Sequence, residues 1–71
     1  MKLYTLKNQI TGEEKNFLRK TSVANAIRVS TDKVEIAVMK NQPINKRTGE
    51  QYTIEYRNVD INLKIEDYDK H

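Results

Sequence analysis

The chain has no cysteine, one proline, one histidine and only two glycines among its 71 residues. Without cysteine there can be no disulfide, no thiolate chemistry and no cysteine-based zinc site, so a disulfide-stapled secreted scaffold is excluded. The single histidine, His71, closes a polar tail, which leaves no evident general base or metal ligand. Gly12 and Gly49 stand alone and make no phosphate-cradling loop. Long apolar runs are missing too. The opening MKLYTLKNQ is too polar for a signal peptide, and no segment is long enough to span a bilayer. The carboxylates Glu13 and Glu14, and Glu66, Asp67 and Asp69, fall in a turn and a tail, where solvated acids are the ordinary case. These absences point to a cytoplasmic, non-catalytic protein with no metal and no cofactor. Met1 and the polar tail fit a complete small protein.

What is present is a single domain over residues 1–71, with a small core and modest stability. KLYTLK (2–7) has strand composition, residues 8–12 carry turn chemistry, and residues 13–18 return as a second strand ending in Phe17 and Leu18. This predicts an N-terminal β-hairpin. Thr21 or Ser22 can cap a helix over about 21–28, with Val23, Ala26 and Ile27 as its buried stripe. Ala24 is small enough to let a second helix approach. Ser30 or Thr31 can cap that second helix, over about 31–41, with Val34, Ala37 and Val38 facing inward. Asp32 and Lys40 complement its dipole, and Pro43 ends it. Tyr52, Ile54 and Tyr56 alternate as a strand over about 51–56. Val59, Ile61, Leu63 and Ile65 alternate in the opposite parity over 59–65, which predicts a turn or bulge at Arg57 and Asn58. The expected fold is α+β: hairpin, helix-turn-helix, and a C-terminal antiparallel ribbon.

Charge is uneven. Residues 15–47 hold eight Lys/Arg against two Asp/Glu, whereas residues 60–71 hold two against four. Positive charge therefore gathers around the helical segment, as an anionic partner requires. In a helix-turn-helix the second helix lies in the major groove of duplex DNA. On that geometry Lys15, Arg19, Lys20, Lys33, Lys40, Lys46 and Arg47 supply phosphate contacts, while Thr31, Lys33 and Ile36 face the bases. About six neutralised phosphates imply a slope of log K against log salt near −5. Asp32 and Glu35 bring negative charge to the same face, and each can accept from cytosine N4. Tyr52 and Tyr56 read as core residues with their hydroxyls reaching solvent, the alternative being a base-stacking surface.

The motifs TGEEKNF (11–17), SVANAI (22–27), RVS (28–30), VEIAV (34–38) and GEQYTIEY (49–56) follow a known order. Across residues 4–56 the chain resembles the nuclease-associated modular domain, the small helix-turn-helix module repeated in intron-encoded homing nucleases. It departs from that pattern at Arg28, where glycine is usual, and at Arg19 and Lys20, where a serine cap and an apolar residue are usual. The resemblance implies DNA binding as an accessory function, with no catalysis in the module itself. Taken with the charge and the helical pattern, the expected setting is a regulator or phage-type accessory protein. A different class of function also fits. Ile36 and Met39, apolar on the open face of the second helix, suit a protein groove, as in a phage-type inhibitor of a host enzyme. The strand over 59–65 offers an edge for a homodimer.

Overall fold

A computed structural model of the chain describes residues 1–60 and 64–66. Its first turn is built by Asn8, whose side-chain Oδ1 accepts from the Ile10 and Thr11 N–H groups at 2.8 and 3.2 Å. Gly12 follows at φ 79°, a value that favours glycine, and its N–H returns to the Asn8 carbonyl at 2.7 Å. This turn joins β1 (Lys2–Asn8) to β2 (Glu14–Phe17) in antiparallel register, with Tyr4 opposite Phe17 and Leu6 opposite Lys15. The chain then forms α1 (Lys20–Ile27), α2 (Thr31–Lys40), β3 (Ile44–Asn45) and β4 (Gln51–Asn58). The fold is α+β, with one antiparallel sheet ordered β2-β1-β4-β3.

The longest pairing joins the first and last of these strands. β4 lies along β1 from Lys2 opposite Asn58 to Asn8 opposite Tyr52. On its other side β4 meets the short β3, with Ile44 opposite Tyr52. Both helices cover one face of the sheet. Leu6, Phe17, Ile44 and Ile54 pack there against Val23, Ala24 and Ile27 of α1 and Val34 and Ala37 of α2.

Several expected details are corrected. α1 starts at Lys20, with Arg19 rather than Thr21 or Ser22 at its N-cap. Arginine has no side-chain acceptor for the first N–H groups, so the start is set by packing of the following turn and not by a cap. Ala24, not Ala26, completes the buried stripe, and Leu18 is exposed beside the buried Phe17. No break occurs at Arg57 and Asn58: β4 runs through both, opposite Leu3 and Lys2. The parity change has a different cause. Leu3 and Thr5 are buried on the face away from the helices, so apolar residues are wanted on that side as well. Val59 continues next to Met1, donating to its carbonyl at 2.8 Å. The ribbon near the C-terminus is therefore β3 with β4. The strand expected over 59–65 falls in part on residues 61–63, outside the described residues. Lys64 and Glu66 meet β2 instead: Asn16 Nδ2 donates to the Lys64 carbonyl at 3.2 Å, and the Glu66 N–H donates to the Asn16 carbonyl at 2.6 Å.

Arg28 occupies the left-handed region at φ 59° and ψ 50° as it closes α1. Its N–H and that of Val29 both return to the Ala24 carbonyl, a glycine-type helix stop made without glycine. Arg28→Gly relieves roughly 1 kcal/mol of backbone strain but loosens the unfolded chain. The expected net gain is about 0.5 kcal/mol, read as a higher urea midpoint at unchanged slope.

Candidate nucleic-acid interface

The second helix is held at both ends by its own residues. At the start, Ser30 Oγ accepts from the Lys33 N–H at 3.3 Å, and Asp32 sits in the first turn. At the end, Asn41 adopts φ 52°, with Asn41 and Gln42 N–H groups returning to the Val38 and Ala37 carbonyls. Val34 and Ala37 are buried against the body, so the opposite side of the helix faces outward. Met39 is 77% exposed and Ile36 49% exposed.

That outward side divides into two flanks. At roughly 100° per residue, Lys33 and Lys40 lie within about 60° of Ile36 on one flank, while Thr31 and Glu35 fall on the other. The Thr31 flank turns toward α1. There Glu35 Oε2 accepts from Lys20 Nζ at 2.7 Å, which neutralises one of the two acids on the helix. The hydrogen bond to Glu35, and then its charge, hold the Lys20 ammonium above the usual lysine value. Among the described residues neither Lys33 nor Lys40 is ion-paired. Asp32 lies between the flanks, close to Ile36 in helical angle. Beyond Lys33 and Ile36 the surface dips into a groove of about 290 Å³ whose far wall is Pro43, Ile44 and Asn45.

The predicted cations are thus sorted into different tasks. Lys33, Ile36 and Lys40 come together on one flank of α2, and Thr31 sits half-buried away from them. Lys46 turns inward and donates to the Ile27 carbonyl, where the end of α1 concentrates negative partial charge. Lys15, exposed on β2, lines a small cavity with Ala26, Ile27 and Tyr52 at the same end of α1. Arg47 is exposed in the β3–β4 turn next to Lys46. Arg19 marks the start of α1, at its opposite end. The roles of Lys20 and Lys46 as internal partners depend on contacts 15 and 19 residues away, which no local pattern signals. The groove residues 42–45 were also invisible to periodicity, because only two of them lie in a strand.

Tyr4, Tyr52 and Tyr56 sit on the helix-covered side; Tyr4 and Tyr52 pack against the core, whereas Tyr56, expected there, is 45% exposed toward the sheet's end. Tyr4 and Tyr56 rings lie 4.5 Å apart between centroids, and Lys2 Nζ stands 5.3 Å from the Tyr56 centroid. Tyr52 donates to Glu50 at 3.2 Å. Burial, then the Glu50 charge, pushes the Tyr52 phenol above the usual tyrosine value. Among the described residues no group of three or more His, Asp or Glu side chains could hold a metal ion. No helix among them is long and apolar enough to cross a membrane. Comparison with protein-family models, curated proteins and solved structures returns no match to this chain.

Proposed function

We propose that this chain is a non-catalytic DNA-binding domain that lays the outer flank of α2 on duplex DNA in the cytoplasm, as part of a regulator or phage-type accessory protein. The observation behind this reading is the alignment of Lys33, Ile36 and Lys40 on one exposed flank, with Glu35 neutralised from behind by Lys20. A helix presenting two unpaired ammonium groups beside an apolar residue meets phosphates on its edge and a thymine methyl at its centre. Lys15 and Arg47 extend the footprint. Lys20 and Lys46 are engaged within the fold, so the count of neutralised phosphates falls to about four, and the slope of log K against log salt becomes about −4. Titrating labelled duplex at several salt concentrations checks this value. A flat response, or no binding at low salt, rejects the reading.

A second reading rests on the exposure of Ile36 and Met39 beside the α2 groove. Apolar side chains of that size suit a protein partner, and the domain would then act as an interaction module. Binding to such a partner is weakly dependent on salt and strongly dependent on Ile36.

A further inference from the structure

β4 has one satisfied edge and one open edge. Val59 donates to the Met1 carbonyl and Gln9 to the Gln51 carbonyl, so the odd-numbered residues of β4 bond to β1. In an antiparallel strand both backbone groups of a residue point the same way, and alternate residues serve opposite edges. Tyr52, Ile54, Tyr56 and Asn58 therefore turn their N–H and C=O groups away from β1. Tyr52 meets Ile44 of β3 there, but β3 is two residues long. Pro43 before it has no N–H, and Gln42 gives its own to the Ala37 carbonyl. Among the described residues no backbone group pairs with Ile54, Tyr56 or Asn58 on that side. We propose that this edge takes β4 of a second copy of this chain, joining the two sheets antiparallel about a two-fold axis at Tyr56.

The register follows from which groups are open. With Tyr56 opposite the partner's Tyr56, Ile54 falls opposite the partner's Asn58, and every outward residue exchanges both of its bonds. Shifting one strand by two residues sets Asn58 against the partner's Tyr52, already paired to Ile44, or runs Ile54 past the end of β4. The same register sets Glu55 opposite the partner's Arg57 at the non-hydrogen-bonded positions, where side chains stand closest. Within one chain these two make a loose pair at 3.8 Å, with Glu55 76% and Arg57 42% exposed. Arg57 Nε is given to Thr5, and among the described residues its terminal N–H groups make no hydrogen bond, which leaves them for the partner's carboxylate. Ile54 is buried under the helices, whereas Tyr56 is half-exposed beside Tyr4, so the axis crosses an uncovered part of the sheet. Because that axis is perpendicular to the sheet, both α2 helices stay on one face of the dimer.

Sedimentation velocity on the full chain, without DNA, tests this independently of nucleic-acid binding. The wild type should pass from monomer to dimer as its concentration rises from micromolar to millimolar. Over the same range amide hydrogen exchange should slow at Tyr56 and Asn58, whose N–H groups face the open edge in the monomer. Glu55→Lys sets like charges opposite each other and should weaken the dimer more than about tenfold, and so should Arg57→Glu. An equal mixture of the two variants should dimerise again, because the cations of one then face the acids of the other. Arg57 also serves Thr5, so circular dichroism checks the fold of its variant. If that variant folds poorly, Glu55→Lys and Tyr56→Pro carry the test, the proline removing an edge N–H that no bond to β1 uses. A wild type monomeric throughout, a dimer of undiminished strength in Glu55→Lys, a folded mixture that stays monomeric, or Tyr56 exchange independent of concentration overturns the proposal.

Discussion

Replacing Lys33 and Lys40 together with glutamate is expected to weaken duplex binding about a hundredfold at moderate salt, while the fold stays intact. Each lysine lost from a phosphate lowers the salt slope by about one, so the slope should fall from about −4 to about −2 or less. Charge reversal adds repulsion from the same phosphates, which is why the loss exceeds simple truncation. Stability should change little, because both side chains are exposed and neither is ion-paired among the described residues. The measurement is a fluorescence-anisotropy titration of both proteins at matched salt, with circular dichroism as the check on folding. Unchanged affinity and slope in the double variant would remove α2 from the interface. Ile36→Ser, which removes the apolar side chain without adding charge, separates the two functional readings from the other side. It should abolish capture of a protein partner, whereas phosphate contacts made by lysines tolerate it better.

Leu3→Ala is expected to destabilise the domain by about 3 kcal/mol, the usual range for a leucine fully buried in a small core. Leu3 is 0% exposed, yet it lies outside the cluster formed under the helices. It faces the reverse of the sheet, where Thr5 is also buried and Thr5 Oγ1 donates to Asn16 Oδ1 at 2.8 Å while accepting from Arg57 Nε at 3.0 Å. That side-chain network ties β1, β2 and β4 together behind the sheet. A domain of this size loses about 4–8 °C of Tm per kcal/mol, so a drop of about 15 °C is expected by calorimetry. Ile36→Ala, which truncates an exposed side chain of similar bulk, should move Tm by no more than about 3 °C. Equal effects from the two variants would show that the reverse face carries no core.

How far the sequence reads through to this structure depends on the reach of each interaction. Asn8 and Gly12 announce their turn because a turn is decided within a few residues. Ser30 with Asp32, and the Val34 and Ala37 stripe, place α2 within a residue of its observed limits for the same reason. The Thr21 and Ser22 cap misplaced the start of α1, since packing on the sheet outweighed a local hydroxyl preference. The opposite parity of Val59 calls for a turn or bulge only where one face of the sheet takes apolar residues. With Leu3 buried behind the sheet, the same pattern needs no bulge.

The charge of the helical segment, the absence of cysteine and the local periodicities belong to the sequence alone, because each is a property of composition or of neighbours along the chain. The pairing of β1 with β4, which brings Lys2 to Asn58, was decided only by tertiary structure. So was the division of the lysines. Lys20 turns to Glu35 and Lys46 to the Ile27 carbonyl, leaving Lys33 and Lys40 outward. A side chain's partner is chosen by which distant backbone arrives beside it, and that depends on the whole core closing at once.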